Sequence, residues 1–154
     1  MKRVVFVCLG NFCRSPLAQG VFEAHLARLG RSDAFVVDSA GTSGHHQGEP
    51  PHAESQRVAN RHGIQIGQQR SRPFRPAEVE QWDHVIAMDR ENAAFLSDLG
   101  VPAERVILLR QFDPEADSPD IPDPWYGGPA DYQSVYYMLE RCIPGLLSHL
   151  DAAR

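Results

Sequence analysis

The chain has 154 residues, with 15 Lys and Arg against 20 Asp and Glu, and a formal net charge of −5 at pH 7. Its content of 42% hydrophobic and 23% charged residues is that of an ordinary folded domain and excludes a disordered or collagen-like chain. The acidic balance argues against a nucleic-acid-binding protein, and the apolar run over residues 4–9 is too short for a membrane span or a signal peptide.

A strand and a helix are the first predicted elements. Residues 4–7 form a continuous β-branched and aromatic run, which is typical of a strand buried on both faces. Ser15 and Pro16 then predict a helix start, with Ser15 as the N-cap and Pro16 at the first helical position. Apolar residues follow at helical spacing until Gly30, which predicts a left-handed end of the helix.

Three further strands alternate with three further helices along the chain. The predicted strands cover residues 34–37, 85–88 and 106–109, and the predicted helices cover residues 52–62, 90–99 and 131–150. Asp89 is the expected N-cap of the middle helix, and Gly100 its end. This alternation predicts one α/β domain over residues 1–154 with three layers, in which a four-stranded parallel sheet carries helices on both faces.

The loop between the first strand and the first helix, CLGNFCRS at residues 8–15, suggests a site for an anion. A tight turn into a helix N-terminus points successive N–H groups into one concavity that suits a phosphate. Arg14 can place a permanently charged group against two phosphate oxygens. Cys8 should lose its proton readily beside that cation and become a nucleophile, although a cysteine at a strand end is by itself more often a packing residue.

A second candidate region lies between Gln111 and Pro124, where carboxylates occur without any basic residue: Asp113, Glu115, Asp117, Asp120 and Asp123. We interpret the first four as a solvated acidic loop. Asp123 differs because Pro124 restricts the backbone on both sides of their shared peptide bond, so its carboxyl is carried on a stiff segment. Trp125 and Tyr126, which follow, could line a slot for an aromatic ring.

The segment CLGNFCRSP resembles the phosphate-binding loop of the low-molecular-weight protein tyrosine phosphatases, whose signature is Cys-x5-Arg-Ser in this strand-to-helix position. The resemblance extends over nearly the whole chain, in VDSAGTSG at 37–44, GEP at 48–50, HGI at 62–64, AMD at 87–89 and IPDPWYGG at 121–128. It implies an enzyme that hydrolyses aryl phosphate monoesters, either phosphotyrosine proteins or small aryl phosphates, and releases inorganic phosphate. It implies no metal, no cofactor and no nucleic-acid or membrane partner.

The same resemblance implies roles for the loop residues. Cys8 would attack phosphorus and form a phosphocysteine intermediate. Arg14 and the backbone N–H groups would hold the phosphoryl oxygens. Ser15 would donate a hydrogen bond to the sulfur. The implied phosphate-binding set is Leu9, Gly10, Asn11, Phe12, Cys13, Arg14 and Ser15.

Two further roles are implied outside direct phosphate contact. Asn11 would brace the loop through Ser39, although an asparagine is also common in any tight turn. Asp123 would act as the general acid that protonates the leaving phenol and then as the base that activates water. An acid is needed because a phenol has a pKa of about 10, so expelling it unprotonated is costly.

The substrate rim is implied to contain Phe12, His45, Trp125 and Tyr126. Trp125 departs from the family pattern, which places two tyrosines after the Asp-Pro pair. A bulky apolar Phe12 argues against the phosphoarginine phosphatases of this fold, which use a small polar residue there. Arsenate reductases of this fold, a second alternative, need a further cysteine pair in the middle of the chain. A non-catalytic phosphate-binding relative, a third alternative, would lack Cys8, Arg14 or Asp123.

Three cysteines do not make a disulfide framework and favour a reducing, cytoplasmic setting. Cys13 either pairs reversibly with Cys8 under peroxide or is a small packed residue. Cys142 lies on the apolar stripe of the last helix and is expected in the core. No Cys or His stands at metal-ligand spacing near His45 and His46, so we expect no metal site.

Overall fold

Four parallel strands form one sheet in the order β2-β1-β3-β4. The structure, a computed structural model, describes residues 1–153. Its strands are β1 (Lys2–Cys8), β2 (Phe35–Gly41), β3 (His84–Ala87) and β4 (Val106–Leu108). Its helices are α1 (Arg14–Arg28), α2 (Ala53–Arg61), α3 (Arg90–Leu99) and α4 (Pro129–Ala152). This arrangement confirms the predicted α/β class and its four-stranded parallel sheet.

Each face of the sheet is covered by helices. Alternate residues of β1 point to opposite faces, as strand geometry requires. Val4 and Phe6 belong to the core shared with α1, α2 and α4. Val5 and Val7 belong to a second core on the side of α3, which includes Trp82. The sheet is therefore the middle of three layers, as expected from its continuous apolar strands.

Within residues 1–153, no helix has both the length and the apolar character that crossing a membrane requires.

Helix α3 has the predicted bounds and caps. The Asp89 carboxylate accepts a hydrogen bond from the Asn92 N–H at 2.8 Å, and the Asn92 side chain accepts from the Asp89 N–H at 3.1 Å. Gly100 ends the helix with φ of +107°, a conformation that favours glycine. Gly30, after α1, likewise has φ of +69°.

The predicted start of α1 is wrong. The helix begins at Arg14, and Cys13 is its N-cap residue without a side-chain capping bond. Pro16 still lies in the first turn, where the N–H that proline lacks would have no acceptor within the helix. The Ser15 hydroxyl does not cap the helix because it faces the sulfur of Cys8 instead.

The carboxyl ends of β1 and β2 lie side by side and position the loop that follows β1. Cys8 is paired with Gly41 in the parallel register. Beyond the strands, the Thr42 N–H donates to the Cys8 carbonyl at 2.9 Å, and the Ser43 N–H donates to the Leu9 carbonyl at 2.9 Å. β2 is therefore longer than predicted. Its pairing with Cys8 and the two hydrogen bonds that follow hold the start of the loop against the chain that leaves β2.

The segment after β4 is anchored by a buried carboxylate. The side chain of Asp113 is 0% exposed. Arg141 of α4 donates to its two oxygens at 2.8 and 3.0 Å, and Arg110 donates to it at 3.3 Å. Hydrogen bonding to Arg141 is the main reason why the pKa of Asp113 falls to about 2. The interpretation of Asp113 as a solvated carboxylate is wrong, because its partner Arg141 comes from a distant part of the chain.

We expect Asp113→Asn to lower the free energy of unfolding at pH 7 by about 3 kcal/mol, because it removes the charge of a fully buried carboxylate that both Arg110 and Arg141 bind. The pKa of Asp113 in the folded state lies below its ordinary value of 3.8. The carboxylate therefore stabilises the fold above that pH, and this stabilisation is lost as the pH falls toward 2. Urea unfolding at several pH values should show this acid dependence in the wild type and a weaker one in the variant.

Asp117→Asn is the matched control. Asp117 also contacts Arg110, at 3.1 Å, but its side chain is 87% exposed. An exposed ion pair contributes about 0–1 kcal/mol, so this variant should unfold nearly as the wild type does. Equal losses in the two variants would contradict an anchoring role for Asp113.

Candidate active site

Cys8 is the last residue of β1 and lies at the bottom of a cleft of about 340 Å³. Its sulfur is 3.1 Å from the Ser15 hydroxyl and accepts the Ser15 N–H at 3.4 Å. Both donors come from the first turn of α1, where the helix dipole is positive. The sequence therefore places this thiol where hydrogen bonds and the dipole stabilise a negative charge on sulfur.

A short chain of hydrogen bonds orients the Ser15 hydroxyl. The Asn11 side-chain N–H donates to Ser15 Oγ at 2.8 Å and to Ser39 Oγ at 3.0 Å. Because Ser15 Oγ accepts from Asn11, its own hydrogen is free to point at the Cys8 sulfur, a nearer acceptor than the Ala40 carbonyl at 3.4 Å.

Asn11 also fixes the backbone of the loop. Its φ is +51°, the only positive value for a non-glycine residue among residues 1–153. Its side-chain oxygen accepts the Arg72 N–H at 3.0 Å, and its carbonyl accepts the Ser71 hydroxyl. The left-handed conformation is therefore held by hydrogen bonds from both the side chain and the backbone.

The backbone N–H groups of the loop are available to a ligand. Those of residues 9–13 have no hydrogen-bond acceptor within the described chain. Since they follow one another in a turn that enters a helix N-terminus, they can bind the oxygens of a single anion. This geometry is compatible with the anion cradle expected from the sequence, and phosphate binding by these groups stays a prediction.

Arg14 lies beneath this loop and is almost completely buried. One terminal nitrogen, Nη1, donates to the Asp89 carboxylate at 2.7 Å and to the Ile121 carbonyl at 2.9 Å. The other, Nη2, is 3.7 Å from the Asp123 carboxylate. Burial by itself lowers the pKa of Arg14, but the charge at Cys8 and the hydrogen bond to Asp89 outweigh it and raise the pKa above its ordinary value.

A helix cap, the role that the sequence predicts for Asp89, is only part of what this residue does. Its Oδ1 caps α3, and its Oδ2 binds Arg14. One signal was available in the sequence: Asp89 follows a strand that was predicted to lie in the same parallel sheet as the strand ending at Cys8, and the carboxyl ends of such strands meet at one edge.

Asp123 lines the same cleft as Cys8 and Arg14. Its side chain is 38% exposed. Oδ1 of Asp123, the oxygen that does not face Arg14, accepts a hydrogen bond from the backbone N–H of Trp125 at 3.1 Å. The segment that follows Asp123 therefore holds its carboxyl group. The structure thus brings Asp123 together with Cys8 and Arg14, the other two residues that the sequence proposed for catalysis, although Asp123 lies far from both along the chain.

Aromatic side chains form the wall of the cleft. Phe12, His45, Trp125 and Tyr126 all line it, and their role as a substrate rim stays a prediction. Phe12 is 5.9 Å from Trp125 between ring centroids, and it stacks on His46 at 3.9 Å with the planes 4° apart. His46 also lines the cleft, although the sequence resemblance points only to its neighbour His45.

All three cysteines are free and buried. The Cys13 sulfur is 3.5 Å from the Tyr132 hydroxyl, and burial raises the pKa of this thiol to about 12. Cys13 is thus a packed residue in this structure, and its pairing with Cys8 under oxidation stays a prediction. Cys142 lies in the core, as expected.

Across residues 1–153, no three or more His, Cys, Asp or Glu side chains are grouped so that they could hold a metal ion.

Comparison with known proteins finds relatives along nearly the whole chain. The profile of the family described as "Low molecular weight phosphotyrosine protein phosphatase" matches residues 3–154. Low molecular weight protein-tyrosine phosphatase A of Mycobacterium tuberculosis is 37% identical over 150 residues, which are 96% of this chain and 91% of that protein. The human low molecular weight phosphotyrosine protein phosphatase is 35% identical over 150 residues, which are 95% and 94% of the two chains.

Solved structures agree with these relatives. A protein tyrosine phosphatase from Entamoeba histolytica, with Hepes in its active site, superposes with a TM-score of 0.92 at 29% identity and covers 98% of this chain and 97% of its own. The structure of YfkJ from Bacillus subtilis has a TM-score of 0.87 at 31% identity and covers 97% and 96%. DARP, a Drosophila arginine phosphatase, has a TM-score of 0.89 at 26% identity and covers 100% of both chains.

We expect Asn11→Ala to destabilise the fold by about 2 kcal/mol, since alanine is strained at positive φ and loses the side-chain hydrogen bonds. Affinity for inorganic phosphate should also fall about tenfold, because the loop N–H groups would no longer converge (about 1.4 kcal/mol). Urea unfolding and isothermal titration calorimetry measure the two effects. Ser39→Ala removes only one of the bonds and should have a smaller effect on both, whereas unchanged phosphate binding in Asn11→Ala would refute the bracing role.

Proposed function

Because the chain belongs to the low molecular weight phosphotyrosine protein phosphatase family and is a protein tyrosine phosphatase, we propose that it hydrolyses phosphotyrosine in the cleft above residues 8–15. One observation carries the proposal: Cys8, Arg14 and Asp123 line the same cleft. The free N–H groups of residues 9–13 complete a site for a phosphoryl group. We assign Cys8 as the nucleophile and Asp123 as the acid and base.

In the first step, the phosphate group binds to the loop N–H groups and to Arg14. The Cys8 thiolate attacks phosphorus, an S–P bond forms, and the P–O bond to the phenol breaks. Negative charge spreads over the phosphoryl oxygens in the transition state, where the N–H groups and the guanidinium stabilise it. Asp123 gives its proton to the departing phenolate oxygen.

In the second step, Asp123 is a carboxylate and accepts a proton from water. The resulting hydroxide attacks phosphorus, the S–P bond breaks, and inorganic phosphate leaves with Cys8 again as a thiolate. The hydrogen bond from the Ser15 hydroxyl, 3.1 Å from the sulfur, stabilises this leaving thiolate. Side chains and backbone N–H groups of the protein supply every binding and catalytic group that these steps need, so we propose no metal and no cofactor.

The aromatic wall supports an aryl substrate, either a phosphotyrosine protein or a small aryl phosphate. The centroids of Phe12 and Trp125 lie 5.9 Å apart, with their planes tilted by 54°. Both present apolar surface beside the phosphate cradle, where a tyrosyl ring bound by its phosphate would lie. An arginine side chain would not gain the same ring contacts, although one structural neighbour is an arginine phosphatase.

We further propose that residues 1–154 form one phosphatase domain and that the protein acts in the cytoplasm. The first proposal is supported by the match over residues 3–154 and by the single sheet. The second is supported by the free cysteines, because a thiolate nucleophile is oxidised readily and survives best in a reducing compartment.

Cys8→Ser should abolish turnover while keeping phosphate binding. A serine hydroxyl is a far weaker nucleophile here, but it leaves the loop N–H groups and Arg14 in place. We expect release of p-nitrophenol from its phosphate ester, measured in EDTA and reductant, to fall by more than about a thousandfold. Calorimetry should still detect inorganic phosphate binding. Cys142→Ala, which removes another buried thiol outside the cleft, should remain active, and turnover by Cys8→Ser would rule out the assigned nucleophile.

Asp123→Ala should slow the hydrolysis of poor leaving groups more than that of good ones. Phenyl phosphate releases a basic phenolate that needs a proton, and its kcat/KM should fall about a hundredfold or more. p-Nitrophenyl phosphate releases a weaker base and should be affected much less. Asp117→Asn provides a carboxylate control from the same acidic segment. Equal slowing of both substrates by Asp123→Ala would remove Asp123 from the acid role.

A further inference from the structure

His52 lies where the segments around the cleft meet, and none of the steps above uses it. Its backbone N–H donates to the Phe12 carbonyl at 2.9 Å, which ties it to the phosphate-binding loop. Its ring nitrogen Nδ1 accepts the Glu54 N–H at 3.0 Å and so caps α2. An accepting Nδ1 carries no hydrogen, which places the ring hydrogen on Nε2 in the neutral form. Burial lowers the pKa of His52, which favours this neutral form.

The ring of His52 contacts three aromatic side chains of the site. It meets the rings of Phe12 and Trp125 nearly edge to face, at 5.3 Å and 77° and at 5.8 Å and 78°. It stacks on Tyr132 of α4 at 5.0 Å and 23°. His52 is not among the residues that line the cleft, so it supports the aromatic wall from behind.

Trp125 depends on such support. Its side of the wall belongs to a segment without regular structure, and the residue is 41% exposed. The backbone N–H of Trp125 also donates a hydrogen bond to the Asp123 carboxylate, at 3.1 Å. A displacement of Trp125 would therefore affect both the slot for the substrate ring and the position of the acid.

We infer that His52 is a positioning residue, whose ring holds Phe12 and Trp125 at the spacing that accepts an aryl group. This inference rests on the proposed function of the cleft. The residue has two separable contributions: Nδ1 stabilises the start of α2, and the ring faces stabilise the wall. Substitutions can remove one and keep the other.

The test compares His52→Asn with His52→Phe. Asparagine keeps an oxygen that can cap α2 but removes the ring, whereas phenylalanine keeps a ring and removes the acceptor. Calorimetry measures binding of two anions that need no turnover: inorganic phosphate, which probes the cradle alone, and benzylphosphonate, which adds an aromatic ring.

For His52→Asn, we expect phosphate affinity within twofold of the wild type and benzylphosphonate affinity about five- to tenfold weaker, the range of one aromatic contact. Its unfolding midpoint should stay within about 2 °C, since the cap is kept. For His52→Phe, we expect near-normal benzylphosphonate affinity and a midpoint lowered by about 3–5 °C, since the cap is lost. His62→Asn is the matched control: His62 stacks on Tyr136 of α4 at 3.9 Å but does not line the cleft, so both affinities should be unchanged.

Unchanged benzylphosphonate binding in His52→Asn would overturn the inference. Equal weakening of both anions would also overturn it, because it would indicate a general distortion of the loop. If wild-type protein bound phosphate and benzylphosphonate equally well, or Cys8→Ser bound neither, the cleft itself would be wrongly assigned and the inference would fall with it.

Discussion

The buried guanidinium of Arg14 holds three separate segments of the chain at one point. Arg14 belongs to the phosphate-binding loop, Asp89 follows β3, and Ile121 comes from the acidic segment. The Asp89 carboxylate and the Ile121 carbonyl both accept hydrogen bonds from Nη1 of Arg14, at 2.7 and 2.9 Å. Burying a charge is costly unless it is paired and hydrogen-bonded, so this part of the fold is stable only when the three segments are correctly placed.

This arrangement also leaves one face of Arg14 for a ligand. Nη1 is occupied by protein partners, whereas Nη2 has the Asp123 carboxylate at a looser 3.7 Å. Held in this way, the guanidinium is already oriented before an anion arrives. Electrostatic stabilisation in an enzyme is most effective when the charged groups need not reorganise during the reaction. The cradle of N–H groups, fixed by Asn11, follows the same principle.

Two hydrogen-bonded anchors determine where Asp123 lies. At one end of the acidic segment, Asp113 is bound by Arg110 and Arg141 inside the protein. At the other end, the Ile121 N–H donates to the Met88 carbonyl at 2.8 Å, just before Asp123. The aromatic wall then continues from Asp123 into Trp125. Asp123 and the Trp125 part of the aromatic wall thus share one segment, whose position is set by buried polar contacts with the rest of the domain.

The sequence by itself determined the strand–loop–helix unit around Cys8 and the parallel sheet, because both depend on local patterns: a β-branched run, a turn with Asn11, and apolar periodicity. It also distinguished Asp123 from the other carboxylates of its region, because Pro124 restricts the backbone locally. The start of α1, the second role of Asp89, the burial of Asp113 and the contacts of His46 and His52 were decided only by the tertiary structure. Except for the start of α1, where the Ser15 hydroxyl faces the nearby sulfur of Cys8, each of these depends on a partner distant in sequence. A hydrogen bond or ring contact between distant residues leaves no mark in the spacing of either one.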